Sequence, residues 1–288
     1  MSSKCNLLNN VTVIIRSTDE ATKDYLFNQV KKEVRIENIF IINEKPFYRA
    51  LLKTFERGIS ENKKYTLALD ADLILAPNAV SLMLQIVQKE TENFYVYQGY
   101  ILDSFRCSIK QGGPHLYKTS NLARAMEFFD LNKKEIRPES FLYNKMQELG
   151  YKIIIDRKIF AIHDYKQHLE DIYRKGYFHG IKHRGWRKYL NLWLDKSERN
   201  DAYKAAIIGF LDGYFTSEKT YPCIKEMKNR GMEVINRYNL RQKLDFDSDI
   251  IFETITRENE ILYDFELKIL KQKKPFWIRI KQILKNKL

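Results

Sequence analysis

The 288-residue sequence predicts an α/β fold built on a mostly parallel sheet, with a helical extension at its C-terminal end. Three observations predict it. Strand, turn and helix signals alternate three times between residues 11 and 87, the pattern that winds a parallel sheet. The polar residues Arg16, Glu44, Asp70 and Asp72 all fall where the strands of these units end, the edge on which open α/β sheets bind ligands. After Tyr165 strand-like runs largely disappear and the chain reads as helical, aromatic and basic.

In the first unit Val11 to Ile15 is a β-branched apolar run that ends at Arg16-Ser17-Thr18-Asp19, residues suited to capping a helix through Tyr25, Leu26 and Val30. In the second, Ile39 to Ile42 breaks at Asn43-Glu44-Lys45-Pro46, and Leu51, Leu52, Phe55 and Ile59 mark a helical face. The third strand, Tyr65 to Leu69, runs into Asp70, and Pro77 opens a helix with Val80, Met83, Leu84 and Val87 on one side. Strand-like runs at Phe94 to Tyr97, Tyr100 to Leu102 and His115 to Tyr117 are separated by turn residues including Gly112-Gly113-Pro114. Helices are expected near 120–129 and 138–149, and strands near 151–155 and 159–162. No linker marks a boundary, so the division between an α/β domain over 1–165 and a helical basic region over 166–288 is drawn near residue 166.

Composition narrows the class. With 44% hydrophobic and 13% aromatic residues the chain can bury a core and is not of the disordered type. Cys5, Cys107 and Cys223 are too few and too scattered for a disulfide framework or a zinc site. The N-terminal residues lack the apolar core of a signal peptide, and no apolar run approaches the ~18 residues of a membrane span. The expected location is cytoplasmic. Residues 1–165 carry 24 Lys/Arg against 20 Asp/Glu and residues 166–288 carry 26 against 17, so most of the +13 net charge sits in the second part. Such an excess attracts polyanions: phosphorylated substrates, an anionic membrane surface or nucleic acid.

Asp70 and Asp72 lie two apart at the end of an apolar strand, where alternation sends both side chains to one side. Paired carboxylates suit a hard cation, Mg²⁺ or Mn²⁺, able to bridge two phosphates of a leaving nucleoside diphosphate. Between Tyr173 and Leu190, Arg174, Lys175, Lys182, Arg184, Arg187 and Lys188 alternate with Tyr177, Phe178, Trp186 and Tyr189. This is either a solvated basic helix face or a cationic wall for a phosphate-bearing cleft. Residues 267–288 hold eight Lys/Arg and no acid, with Phe276, Trp277, Ile280, Ile283, Leu284 and Leu288 as an apolar side. That pattern suits a helix resting on an anionic membrane surface, and equally a solvated tail or a helix packed on the body.

Four segments in order resemble the GT-A glycosyltransferases related to family 2, over residues 11 to about 165. Asp70-Ala71-Asp72 resembles the D-x-D that holds metal, ribose and diphosphate, and Gly112 to Lys118 resembles the glycine-rich strand before the acceptor site. Arg137-Pro138-Glu139-Ser140 precedes a helix closed by Gly150-Tyr151, as the family's acidic motif does, and Ile162-His163-Asp164 resembles the segment whose histidine completes the metal shell. The family usually has Glu-Asp where this chain has Pro138-Glu139.

The resemblance implies a Rossmann-like nucleotide-diphospho-sugar transferase fold. It implies a metal on Asp70, Asp72 and His163, a donor held by Arg16, Glu44, Asp70 and Gly113, and Glu139 as catalytic base. A histidine ligand would tilt the metal preference towards Mn²⁺. The reaction implied is transfer of a sugar from a nucleotide sugar to a saccharide, free or lipid-linked, as in surface polysaccharide or glycolipid synthesis.

Read as residues alone, Glu139 is equally a first-turn acid, His163 a core histidine, Asp164 a cap or salt-bridge partner, and Gly112-Gly113-Pro114 a tight turn. Two rival functions stand beside the transferase. A sugar-phosphate nucleotidyltransferase would show a glycine-rich phosphate loop after Val11 to Ile15, which is absent. A basic nucleic-acid or membrane-binding protein would bind no metal at Asp70 and Asp72, and no nucleic-acid module is recognised here.

Overall fold

The computed structural model describes residues 8–90, 93–132, 137–182, 187–216, 223–242 and 252–260. The amphipathic tail 267–288, together with Arg184 and Trp186 of the basic stretch, lies outside them.

A seven-stranded sheet carries the fold. Its strands are β1 (Val11–Arg16), β2 (Ile39–Ile42), β3 (Tyr65–Asp70), β4 (Leu73–Leu75), β5 (Phe94–Asp103), β6 (Ser108–Lys118) and β7 (Lys152–His163), in the order β2-β1-β3-β6-β5-β7-β4. β1 lies between β2 and β3, parallel to both, and all six of its residues are buried. Burial on both faces is why its sequence is a continuous β-branched run instead of an alternation.

The expectation of a mostly parallel sheet holds for this half and fails for the other. β5 and β7 are parallel, but β3 with β6, β5 with β6, and β4 with β7 are antiparallel, so the sheet is mixed. The reason is the β5–β6 hairpin, closed by the short turn after Asp103. The sequence's periodicity divides that hairpin into three short strands. Gly112-Gly113-Pro114 is no turn: it lies inside β6. Gln98 stands opposite His115 and Gly99 opposite Gly112, so Gly113 and Pro114 form a two-residue bulge.

β3 and β4 are joined by Ala71 and Asp72 alone, yet β4 pairs with β7 at the far edge. The sheet must therefore curl until that edge returns to the carboxyl end of β3. Strands β5 and β7 make the bend through shifts of register, among them those near Gln98 and Tyr100.

Helices α1 (Lys23–Lys31) and α3 (Ala79–Val87) cover one face, with Leu26, Val30, Val80, Met83 and Leu84 packed on Val13, Ile15, Leu67 and Leu69. Helix α3 starts after Pro77 and an Asn78 cap, two residues later than the proline suggested. The other face carries α2 (Phe47–Glu61), the short α4 (Leu122–Met126) and α5 (Phe129–Asn132), and α6 (Pro138–Glu148), gathered around Leu51, Phe55, Tyr95, Tyr117 and Leu142.

Beyond β7 the described chain is helical: α7 (Leu169–Lys182), α8 (Arg187–Ser197), α9 (Asp201–Phe215), α10 (Ile224–Arg237) and a last segment at 252–260. These helices build a second core around Tyr173, Tyr177, Trp193 and Phe210, which takes in Phe105 from the β5–β6 turn. No helix of the described residues is long and apolar enough to cross a membrane.

Candidate active site

The loops after β1, β2 and β3 open on a cavity of about 410 Å³. Its floor is Arg16, Asp70 and Asp72, one side is the Ser17–Ala21 loop, and another is Glu44 to Phe47. The facing wall comes from the helical region: Lys166, Gln167, His168, Asp171, Arg174 and Lys175 at α7, and Lys228 on α10. Cations of the basic C-terminal part thus meet the sheet edge on which the sequence placed the chemistry.

Two clusters of charge lie at the floor. In the first, Arg16 is buried at the end of β1 and bridges two acids: its Nε donates to Asp70 Oδ1 at 2.9 Å and its Nη1 to Glu139 Oε1 at 2.6 Å. The Phe47 ring lies 4.9 Å from the guanidinium carbon. The remaining nitrogen, Nη2, is buried with no hydrogen-bond partner. Glu139, in the first turn of α6, also accepts from the Tyr117 hydroxyl at 3.2 Å and faces His115 Nε2 at 3.6 Å. The Tyr143 hydroxyl meets His115 Nδ1 at 2.8 Å. Burial works to raise the Glu139 carboxyl, but Arg16, His115 and the hydrogen bonds from Arg16 and Tyr117 outweigh it and hold it at about 2. Burial lowers His115 below the ordinary histidine range. Gly113 is part of this setting, since a Cβ there would come within 3.1 Å of the His115 ring.

The second cluster is centred on Asp72 and His163. His163 closes β7 between Leu73 of β4 and Asp103 of β5. Its Nε2 lies 3.3 Å from Asp72 Oδ2, and its Nδ1 lies 3.3 Å from Asp164 Oδ2 and 3.5 Å from Asp103 Oδ2. Burial disfavours the charged imidazole, yet the carboxylates of Asp72 and Asp164, with that of Asp103 beside them, push it up to about 10. Asp103 itself is buried and paired with Lys110. Lys175 of α7 reaches Asp164 Oδ1 at 2.5 Å and Asp72 Oδ2 at 3.5 Å.

Among the described residues, Asp72, His163 and Asp164 form a group able to hold a metal ion, with one donor atom from each lying within 4.8 Å of the others. The donor set is two carboxylates and an imidazole, which suits Mn²⁺ or Mg²⁺ better than a soft metal. Asp72 Oδ1 is buried and has no hydrogen-bond partner, an open lone pair where a cation would fit. The field that keeps a proton on His163 is the field a divalent ion would meet.

The sequence-derived residues therefore divide. Asp72 and His163 come together, joined by Asp164, which forms the salt bridge foreseen for it as well as completing the group. Asp70 faces the same cavity but is turned to Arg16. Arg16 and Glu44 both line the cavity; Glu139 and Gly113 do not, and Glu139 connects to it through Arg16. Sequence reasoning passed over Asp103, His115 as a partner of Glu139, Tyr143, Lys166 and Lys228. Asp103 had a usable signal: like Asp70, it is an acid at the carboxyl end of an apolar strand.

No protein-family profile and no curated protein matches the chain. Among solved structures it is similar to a glycosyltransferase involved in the glycosylation of the major capsid of PBCV-1, with a TM-score of 0.43 and 9% identity over 55% of this chain and 95% of that one. It is also similar to a cytidylyltransferase from Leptospira borgpetersenii serovar Hardjo-bovis (strain JB197), with a TM-score of 0.34 and 10% identity over 83% of this chain and 99% of that one.

Proposed function

We propose that the chain is a metal-dependent glycosyltransferase that moves a sugar from a nucleotide-diphospho-sugar to a saccharide acceptor, free or lipid-linked. One observation carries the reading. A carboxylate, imidazole and carboxylate group with an unpartnered buried oxygen stands at the end of a central strand, beside a cavity whose opposite wall is cationic.

Asp72, His163 and Asp164 would hold the divalent ion, which would supply Lewis-acid stabilisation of the departing diphosphate. Glu44 and the Ser17–Ala21 loop border the part of the cavity where ribose and base are received. Arg16 keeps Asp70 and Glu139 in register and offers Nη2 to the donor. Arg174 and Lys228 supply positive charge along the phosphate path.

In the inverting form of this reaction the resemblance to the GT-A family assigns the base to Glu139, which connects to the cavity through Arg16. Held near a pKa of 2 it is ionised at every physiological pH. Such a weak base takes the acceptor proton late, when the hydroxyl oxygen is already bonding to the anomeric carbon and has become acidic.

A panel of nucleotide sugars, assayed for donor hydrolysis with Mn²⁺ and with EDTA, tests the reading. One donor should be consumed only with metal, and Asp72→Asn should weaken Mn²⁺ binding at least about tenfold. Consumption that ignores EDTA, or Mn²⁺ binding that survives Asp72→Asn unchanged, rejects it.

A further inference from the structure

Three buried or half-buried acids, Asp72, Asp103 and Asp164, surround His163. Two lysines answer them. Lys110 pairs with Asp103, and Lys175 crosses from α7 to Asp164 and Asp72. Lys175 also lines the cavity, so its ammonium stands between the metal-binding group and the space assigned to the donor.

Charge counting restricts what a metal can do here. An imidazole that ligates a metal is neutral. A divalent ion added while both lysines stay leaves the group with one positive charge in excess. The same ion with Lys175 gone leaves it balanced. A buried group favours the balanced state, because uncompensated charge in low dielectric is costly.

The anchor of Lys175 is stiff and its side chain is not. Helix α7 is locked to α9 by glycines on both sides: a Cβ on Gly176 would meet Ala206 O at 2.4 Å, and one on Gly209 would meet Tyr173 O at 2.1 Å. The backbone of Lys175 is thereby fixed, while its flexible four-carbon stem can carry the ammonium from the acids to the cavity.

We propose that Lys175 is a positioning residue that occupies the acids in place of the metal, yields Asp72 to the incoming ion and moves its ammonium to the donor diphosphate. Metal and diphosphate then bind cooperatively, each favouring the state the other needs. The idea rests on the glycosyltransferase reading for its metal and its diphosphate, and adds the exchange of one cation for the other.

The test measures binding, not turnover, on the full chain. Mn²⁺ alone is titrated by calorimetry, and inorganic pyrophosphate is titrated at saturating Mn²⁺ with correction for Mn²⁺–pyrophosphate association in solution. Lys175→Met should bind Mn²⁺ alone at least about tenfold tighter than wild type, because a cation competing for the same carboxylate is gone. The same variant should bind pyrophosphate more weakly. A merely structural lysine would loosen both, so the opposite signs are the signature. Lys175→Arg keeps the charge and should stay near wild type in Mn²⁺ affinity. Should the Met variant fail to fold, a gain in affinity in Lys175→Gln serves instead.

Unchanged or weaker Mn²⁺ binding in the folded neutral variant overturns the exchange. If Asp72→Asn abolishes Mn²⁺ binding at the same time, the metal site stands and the exchange alone falls. If Asp72→Asn leaves Mn²⁺ binding intact, the metal reading falls and takes the exchange with it.

Discussion

Arg16 joins two acids that are 69 positions apart in the chain, Asp70 from β3 and Glu139 from α6, and so fixes helix α6 against the sheet at the cavity floor. The bridge has a sign that pH can read. Glu139 is depressed from its ordinary 4.5 to about 2, so its contribution to stability is complete above about pH 4.5 and is lost as pH falls towards 2. A shift of that size corresponds to roughly 3 kcal/mol. Glu139→Gln should therefore lower the urea midpoint at pH 7, and its deficit against wild type should shrink steadily between pH 4.5 and 3. A deficit that stays constant over that window would mean the ion pair contributes little. The same substitution bears on function. It should abolish sugar transfer while Mn²⁺ affinity, set in the other cluster, stays within about threefold. For the same reason the rate profile of the wild-type protein should show no acidic limb from Glu139 above about pH 3.

At the scale of elements, the pairing of α7 with α9 is set by four glycines. Gly176 and Gly180 meet Ala206 and Phe210, and Gly209 and Gly213 meet Tyr173 and Tyr177, each at backbone distance. A methyl on Gly213 would come 2.0 Å from Tyr177 O, a fixed backbone atom, so the helices must part to admit it. Gly213→Ala should cost about 1–3 kcal/mol, measured as a lower urea midpoint by far-UV circular dichroism. An unchanged midpoint would show that the helices have room to shift. The sequence carries these glycines at two Gly-x-x-x-Gly spacings that its periodicity does not single out, and it does not say that they face each other, because that depends on how α8 turns the chain. The limits are similar elsewhere. β1 to β3 could be read because local periodicity and a polar break define each unit. The β5–β6 hairpin could not, since its register rests on the bulge at Gly113 and Pro114, and a bulge interrupts the alternation by which strands are recognised. Asp72 is legible from its place at a strand end, whereas His163 is picked out only by the resemblance of Ile162-His163-Asp164 to the GT-A family. The turning of Asp70 to Arg16 was not, because it requires knowing that Arg16 ends the neighbouring strand in register with it.

At the scale of the molecule, the curl of the sheet and the helical region are parts of one arrangement. The two-residue link from β3 to β4 brings the far edge back, and the acids Asp72, Asp103 and Asp164 converge because three strand ends then meet. The helical region closes on this point. Trp193, wholly buried, donates from Nε1 to Phe105 O at 2.6 Å, the Tyr203 hydroxyl donates to Ser104 O at 3.2 Å, and Asn259 bonds both backbone groups of Ile159. A cut near residue 166 would thus leave Phe105 exposed and the β5–β6 turn without partners. It would also strip the cavity of its whole cationic wall. The fragment 1–165 should keep the parallel half of the sheet, where α1, α2 and α3 already cover both faces, but should unfold at a lower urea concentration than the full chain. Its pyrophosphate affinity in Mn²⁺ should fall at least about tenfold, since Lys166, Arg174, Lys175 and Lys228 leave together. Calorimetry of the full chain should show one transition, because Phe105 belongs to the helical core while the strands on either side of its turn belong to the sheet. Two well-separated transitions in the full chain, with undiminished pyrophosphate binding by the fragment, would mean that the helical region is an appendage and that the site is complete without it.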